Sequence, residues 1–308
     1  MKTKERKLAI LRDDPWLEPH AAAIEGRHQD VLRKLDELTA NTDGSLEKFA
    51  NAYKYFGLHH GREGWTFRDY LPNATKVLLI GTFTDWQDDE RYALTRLGDG
   101  TWEGKFREDM IHNGDLYKMR VFWDGGEGER IPAYATRVVQ DENTKIFSAE
   151  VYDPENPYRF EAGRFTPDTK PLLIYEAHIG MAEEKEGVGT YNEFRENILP
   201  RIARDGYNAI QLMAIQEHPY YGSFGYHVSS FYAPSSRFGT PDDLKRLIDE
   251  AHKLGIAVIM DIVHSHAVKN EVEGLGRIDG SYDLYFYGDG RREHPAWDSL
   301  CFDYGKNS

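Results

Sequence analysis

Three polar stretches contain the residue types that could carry out chemistry in this chain. The most concentrated is DIVHSH, Asp261 to His266, which places one carboxylate and two imidazoles at the end of an apolar run. The other two are EAHIG, at 176–180, and QEHPYYGSFGYHV, at 216–228. Ligands bind at the carboxyl ends of parallel strands. Three polar strand ends of this kind therefore predict a shared binding site.

A metal site is one interpretation of DIVHSH. His264 and His266 could share a divalent ion if both lay on a strand, because residues two apart then point the same way. Metal-dependent hydrolase barrels of the amidohydrolase type carry such a pair at the end of their first strand, whereas two βα units precede it here. Spacing alone gives many false matches. We therefore expect no metal, with one histidine buried and hydrogen-bonded and the other lining a pocket.

A carboxylate pair is the second interpretation. Glycoside cleavage needs one protonated and one ionised carboxyl group about 5–10 Å apart. Glu176, Glu217 and Asp261 all lie near strand ends and could supply such a pair. Acids at strand ends more often make structural hydrogen bonds to neighbouring loops, and the spacing leaves both alternatives open.

The composition excludes several classes of partner. The net charge of −14 and the isoelectric point near 5.3 disfavour a nucleic acid or an anionic membrane surface. The single cysteine, Cys301, excludes a disulfide framework, and the charged first residues do not resemble a signal peptide. We expect a soluble, cytoplasmic protein without a cofactor. The 19 tyrosines and 6 tryptophans also suit stacking on sugar rings.

Two regions are predicted to precede the polar strand ends: a helical segment and an all-β region. Residues 1–56 are predicted as a helical segment, with helices over 15–40 and 45–56. Short β-rich runs separated by turn residues then predict an immunoglobulin-like β-sandwich over 57–153. Its strands are predicted in WTFRDYL, KVLLIGTF, TWEGKF, LYKMRVFW and KIFSAEVY. A proline-rich linker follows over 154–171.

Residues 172–308 alternate apolar strands with amphipathic helices. Strands are predicted in LLIYEAHIG, NAIQLMAI and IAVIMDIV, and Thr190 and Thr240 each begin a helix as its N-cap. Successive βα units indicate a parallel sheet, either doubly wound or the start of a (β/α)8 TIM barrel. A whole barrel takes about 250 residues. Three strands would therefore be only its first part, leaving one sheet edge unpaired and apolar helix faces uncovered.

With these segments placed, the chain resembles the α-amylase superfamily (glycoside hydrolase family 13), and within it the eukaryotic-type 1,4-α-glucan branching enzymes. DPWLEP resembles the N-terminal segment of that group, and KVLLIGTFTDW resembles its carbohydrate-binding module of family 48. The longest match is LPRIARDGYNAIQLMAIQEHPYYGSFGYHVSSFYAPSSRFGTPDDLKRLIDEAHKLGIAVIMDIVHSHAVKN, followed by WDS. The resemblance implies a multidomain protein with a sandwich and part of a catalytic TIM barrel.

The resemblance also implies roles for residues. Asp261 would be a structural acid, His266 would hydrogen-bond sugar hydroxyls, and Tyr226 would stack on the same sugar ring. On the sandwich, Trp86 and Lys118 match positions that contact glucan, although Trp86 could equally be a packing residue. A second binding tryptophan is absent after the turn at 124–126.

The activity implied is that of a glycosyltransferase of glycogen biosynthesis, which transfers a segment of α-1,4-glucan to a 6-hydroxyl by a retaining mechanism. The nucleophile and the acid/base carboxylate of that mechanism are expected beyond Ser308, so the 308-residue chain is predicted to be inactive alone. The alternative prediction is a non-catalytic α-glucan-binding protein. A metal hydrolase is the third.

Overall fold

The computed structural model describes residues 8–167 and 171–306, so residues 1–7 of the predicted helical segment and 168–170 of the predicted linker lie outside the described residues. The chain divides into two compact units, Met1–Tyr55 and Phe56–Ser308. The described part contains no helix that is both long enough and apolar enough to cross a membrane.

The first unit is helical. Its helices are α1 (Ala9–Asp13), α2 (Ala21–Thr39) and α3 (Leu46–Phe49), with 3-10 turns at Pro15–His20 and Ala52–Lys54. The helix predicted over 15–40 is confirmed in the main, although it begins as a 3-10 turn capped by Asp14. The helix predicted over 45–56 is wrong beyond α3. Short helices are marginal without packing, and Phe49 and Tyr53 are exposed.

The β-sandwich opens the second unit and consists of two antiparallel sheets. Their strands are β1 (Gly57–Gly61), β2 (Gly64–Tyr70), β3 (Ala74–Gly81), β4 (Thr95–Arg96), β5 (Thr101–Phe106), β6 (Leu116–Trp123), β7 (Gly126–Arg130), β8 (Val138–Gln140) and β9 (Phe147–Glu150). One sheet has the order β1-β2-β5-β4, and the other β3-β6-β9-β8 with β7 pairing β6. All five predicted strands are confirmed. The sequence missed four short ones, such as the glycine-rich β7, because they lack an apolar alternation.

The sandwich core follows from the alternation of side chains along each strand. In β2, Trp65, Phe67 and Asp69 are buried, whereas the residues between them are partly exposed. Because successive side chains point to opposite faces of a sheet, this pattern turns one face of β2 towards the other sheet. Leu79 of β3 and Met119 of β6 meet it in the same apolar cluster.

A parallel three-stranded sheet follows, with the order β10 (Ile174–Ala177), β11 (Ala209–Leu212) and β14 (Ala257–Met260). The sequence predicted that the first strand is buried, which is wrong, and that the sheet has an unpaired edge, which the structure shows at two strands and not at one. Among the described residues β11 is central and both outer strands have a free edge. Leu173, just before β10, is 59% exposed, and Met260 at the end of β14 is 42% exposed.

Helices cover this sheet where the sequence predicted them. The first runs through α4 (Tyr191–Glu193), a π-helical turn (Phe194–Ile198) and α5 (Leu199–Arg204), and the second is α6 (Pro241–Lys253). Thr190 and Thr240 are the predicted N-caps, since each side chain accepts a hydrogen bond from the backbone N–H three residues on. The buried face of α6 packs on the central strand's apolar cluster.

A junction segment, residues 271–286, ties the sandwich to this sheet region. Ile278 and Leu284 join the sandwich core cluster. The buried Arg130 of β7 donates to the Arg277 carbonyl oxygen at 2.9 Å, and its guanidinium lies 5.2 Å from the Trp123 ring centroid. The two regions are therefore packed as neighbours within one unit.

Candidate functional site

A strand-end pocket of about 410 Å³ lies where the polar stretches converge. Its lining residues are Tyr220, Gly222, Ser223, Tyr226, His227, His266 and Trp297. Two short antiparallel pairs frame it: β12 (Gln216–Glu217) with β13 (Ser230–Pro234), and β15 (His266–Val268) with β16 (Ser299–Cys301). The structure thus brings together two of the three residues that the sequence predicted for the site, and Asp261 contacts one of them.

Backbone geometry places Tyr226 in the pocket wall. Phe224 and Gly225 both have positive φ, 53° and 90°, so the chain turns sharply just before Tyr226. A Cβ atom on Gly225 would lie 1.8 Å from the Ala214 carbonyl oxygen, so only glycine fits this turn.

Tyr226 is tied to Asp261, the first residue of DIVHSH. Its hydroxyl donates to Oδ2 of Asp261 at 3.0 Å. Burial and this hydrogen bond raise the pKa of Tyr226 to about 12, so the phenol stays protonated and keeps donating. Asp261 therefore orients the tyrosine ring, which leaves the face of that ring to meet an apolar surface such as one side of a sugar.

His266 is buried and held on both ring nitrogens. Nε2 lies 2.9 Å from the Tyr226 carbonyl oxygen, which can only accept, so Nε2 carries the proton. Nδ1 lies 2.8 Å from the Ser265 hydroxyl. Burial lowers the pKa of His266, which keeps the ring neutral. A ligand hydroxyl would reach this imidazole by replacing Ser265 at Nδ1.

The two histidines of DIVHSH do not form a metal pair. His266 begins β15, but His264 precedes that strand, is exposed and lies near Phe231. The premise that both lie on one strand is therefore wrong. Within the described ranges there is no group of three or more His, Cys, Asp or Glu side chains placed to hold a metal ion.

Glu217 takes the structural role that the sequence left as an alternative. It is fully buried, and its carboxylate accepts from the Ser235 hydroxyl at 3.1 Å and from the Ser236 backbone N–H at 2.7 Å. Burial raises the pKa of Glu217, although the bonds from Ser236 and the charge of Arg237 oppose that rise. This acid anchors the loop after β13. It has no open side towards a ligand.

Sequence reasoning missed Trp297 as a wall of the pocket. Its ring centroid lies 5.2 Å from that of His266, and the side chain is 53% exposed. The signal was present in the WDS stretch, which the resemblance noted without a role. Tyr220 and His227 were missed as well, because nothing in the spacing of QEHPYYGSFGYHV distinguishes a lining side chain from a buried one.

A second candidate site is the sandwich cavity, about 770 Å³, on the outer face of β6, β7 and the β8–β9 hairpin. Trp86 and Lys118 both line it. The Lys118 ammonium lies 5.6 Å from the Trp86 ring centroid and 3.0 Å from Oε2 of Glu129. Trp86 is partly exposed, with φ of 60°. The indole is thus held beside a buried cation at the edge of the cavity and is not enclosed in the core.

Comparison with known families divides the chain in the same way. The profile described as "Alpha amylase, catalytic domain" matches residues 185–296. The profile described as "Carbohydrate-binding module 48 (Isoamylase N-terminal domain)" matches residues 55–135. The first includes every lining residue of the strand-end pocket except Trp297, and the second covers most of the sandwich.

Curated relatives with the name 1,4-alpha-glucan-branching enzyme match almost the whole chain. The protein of Dictyostelium discoideum is 41% identical over 302 residues, which is 96% of this chain and 44% of the relative. That of Yarrowia lipolytica is 43% identical over 310 residues, 97% of this chain and 44% of the relative. That of Saccharomyces cerevisiae is 42% identical over 318 residues, with shares of 95% and 45%. The chain therefore spans less than half the length of these relatives.

Solved structures share the fold at lower identity. A pullulanase variant from Paenibacillus barengoltzii, complexed with maltotetraose, has a TM-score of 0.65 at 20% identity, covering 80% of this chain and 43% of that one. A putative alpha amylase from Salmonella typhimurium has a TM-score of 0.63 at 23% identity, with shares of 80% and 38%. Residues 185–296 therefore match the alpha-amylase catalytic-domain family and residues 55–135 match the carbohydrate-binding module 48 family, and almost the whole chain is similar to less than half of the length of 1,4-alpha-glucan-branching enzymes.

Proposed function

We propose that the chain is the N-terminal portion of a 1,4-α-glucan branching enzyme of glycogen biosynthesis, acting in the cytoplasm on α-1,4-glucan without a cofactor. The whole enzyme would transfer a glucan segment to a 6-hydroxyl with retention of configuration, through a covalent glucosyl intermediate. The observation that carries the proposal is the strand-end pocket, where Tyr226, His266 and Trp297 meet.

Each pocket residue has a part in this proposal. Tyr226, oriented by Asp261, presents an aromatic face to a glucosyl ring. Nδ1 of the neutral His266 accepts a hydrogen bond from a sugar hydroxyl once that hydroxyl replaces Ser265. A sugar offers apolar C–H faces and a rim of hydroxyls, so an aromatic wall with an imidazole acceptor suits it. Asp261 acts as a positioning acid, because its carboxylate accepts the hydrogen bond that holds the Tyr226 ring in the pocket wall.

The sandwich cavity would hold a second stretch of the same glucan. The Trp86 indole supplies a stacking surface, and Lys118 and Glu129 supply a donor and an acceptor for hydroxyls. This arrangement also supports the alternative of a glucan-binding protein without catalysis. Whether the reading frame continues past codon 308 with the three carboxylates of the family separates the two candidates.

The test uses the 308-residue chain. Retention on glycogen and the affinity for maltoheptaose are measured for the wild type, Trp86→Ala, Tyr226→Ala and the double variant. We expect each single variant to lose part of the binding and the double variant to lose nearly all. Branch formation from amylose, followed by the iodine complex, should be absent. Full binding by the double variant, or branch formation by the chain alone, would contradict the proposal.

A further inference from the structure

His294 and Trp297 form a stacked pair at the edge of the strand-end pocket. Their ring centroids are 4.2 Å apart and their planes differ by 4°, so the imidazole lies flat on the indole. Nδ1 of His294 also lies 3.2 Å from the backbone nitrogen of Ala296 and 3.1 Å from that of Trp297. The same side chain therefore stacks on the tryptophan and caps the turn that carries it.

This arrangement requires one protonation state. Two backbone N–H groups point at Nδ1 of His294, so that nitrogen must accept through its lone pair, and the ring proton must be on Nε2. Protonation of Nδ1 would place a third N–H against two donors and remove both hydrogen bonds. The stack would then lose the contacts that hold its geometry.

The turn is anchored on its other side by the fold. The backbone N–H of His294 donates to the Ser299 carbonyl oxygen at 2.9 Å, and Ser299 begins β16, which pairs with the strand of His266. The His294 ring is thus fixed relative to His266, with their centroids 6.0 Å apart. Trp297 is half exposed and has the His294 ring against one face.

We propose that the neutral His294 is a positioning residue for the pocket, which holds Trp297 against the site so that its indole forms a wall for a glucosyl ring, and that protonation of His294 releases this wall. The inference rests on the proposed role of the pocket in binding α-glucan. It adds a residue outside the predicted site and makes binding at this pocket, unlike binding at the sandwich cavity, dependent on pH.

The charged groups around the turn include two carboxylates and one ammonium group. Glu293 and Asp298 flank the turn, and the Lys269 ammonium lies 2.8 Å and 2.7 Å from their carboxylates. The His266 imidazole faces the His294 ring, and the His227 imidazole lies 6.1 Å from that of His266. Because Lys269 pairs with both carboxylates and His266 is neutral, we expect the loss of the two hydrogen bonds at Nδ1, and not charge repulsion, to release the turn.

The experiment follows Trp297 itself. The chain is labelled with 5-fluorotryptophan, and the fluorine resonance of Trp297 is assigned with Trp297→Phe. Spectra are recorded between about pH 5 and pH 8, where imidazole changes charge. The variants are His294→Ala, which removes the acceptor, and His294→Asn, whose amide oxygen can accept from the backbone two residues on and does not titrate.

We expect the wild-type resonance to shift as the pH falls, His294→Ala to resemble the acidic wild type at every pH, and His294→Asn to show no pH response. Maltoheptaose binding, measured in a Trp86→Ala background to remove the sandwich cavity, should weaken about tenfold for His294→Ala, near the upper end of what one aromatic contact contributes. The same loss is expected for the wild type on acidification.

Each contrary result rejects a different part of the proposal. An unchanged Trp297 resonance in His294→Ala, or a pH response that persists in His294→Asn, would overturn the positioning role. A resonance that follows His294 while maltoheptaose fails to bind the pocket at any pH would retain the positioning role and reject the proposed function. If the imidazole only contributed to the stability of the turn, the affinity for maltoheptaose would fall in His294→Asn as much as in His294→Ala, and that result would overturn the positioning role.

Discussion

The β-sandwich and the parallel sheet bury apolar strands in different ways. In the sandwich two sheets face each other, and Leu79 in β3 is fully buried in a core to which the junction segment adds Ile278 and Leu284. In the parallel sheet only β11 has a strand on each side, so Leu173 next to one outer strand and Met260 on the other remain exposed. A sandwich completes its core within one stretch of chain. A parallel sheet depends on a neighbour at each edge.

The largest effect we predict comes from removing equal apolar volume in the two regions. Leu79→Ala should destabilise the chain by about 2–5 kcal/mol, because it leaves a cavity in a closed core. Leu173→Ala should change the free energy of unfolding by less than about 0.5 kcal/mol, as for other exposed positions. Urea unfolding of both variants measures the difference. Equal losses would show that the edge of the parallel sheet is covered in solution.

The second prediction uses buried acids in the two regions. Burial raises the pKa of Asp69, in the sandwich, from 3.8 to about 7. For Asp249, on α6, burial also acts to raise the pKa, but the bonds from Tyr158, Ala162 and Glu161 outweigh it and the pKa is lowered. The folded sandwich therefore holds a proton that its unfolded chain releases, whereas α6 is stabilised by an ionised carboxylate.

The two acids consequently act in different pH windows. With Asp69 the folded state binds more protons than the unfolded state between pH 3.8 and about 7. The free energy of unfolding should therefore fall as the pH rises through that window, by up to about 4 kcal/mol. The contribution of Asp249 is present above pH 3.8 and is lost as the pH falls below it. Asp69→Asn should remove the slope between about pH 4 and pH 7 in unfolding measurements. A slope unchanged from the wild type would contradict this assignment.

The sequence predicted elements in both regions, but its prediction that the first parallel strand is buried is wrong. The alternation in β2 and the N-caps at Thr190 and Thr240 are local signals, and the structure confirms them. The apolar run LLIYEAHIG carries the same local signal for a buried strand, but its burial depends on a partner strand that no local pattern reveals. Local chemistry thus specifies the element, and tertiary neighbours decide its exposure.

The residues of the candidate site also fall into those that a local sequence signal predicts and those that it does not. Tyr226, Asp261 and His266 were predicted from strand ends and resemblance, and the structure places them close together. Trp297 and His294 were not found, because they reach the pocket from a turn far along the chain, after the junction segment. A lining residue on such a turn has no strand-end signature.

The third prediction tests the connection between the two regions. Arg130 is buried, and its guanidinium lies 3.5 Å from a carboxylate oxygen of Glu271 in the junction segment. Arg130→Ala should cost about 2–3 kcal/mol, less than for a fully buried pair because Glu271 is partly exposed. Arg130→Lys, which keeps the charge but not the fork, should cost less. Limited proteolysis within residues 271–286 should become faster in Arg130→Ala. An unchanged cleavage rate would contradict the role of this contact.

The smallest effect comes from the cap of α6. The Thr240 hydroxyl lies 3.1 Å from the backbone nitrogen of Asp243, so Thr240→Ala should cost about 1 kcal/mol, and the matched Thr240→Ser only a few tenths. The cap lies in the sheet region, far in sequence from the sandwich. If the junction segment makes the two regions unfold together, Thr240→Ala shifts a single transition for both tryptophan fluorescence and circular dichroism. A shift in one probe alone would mean that the parallel sheet unfolds separately, as its free edges would permit.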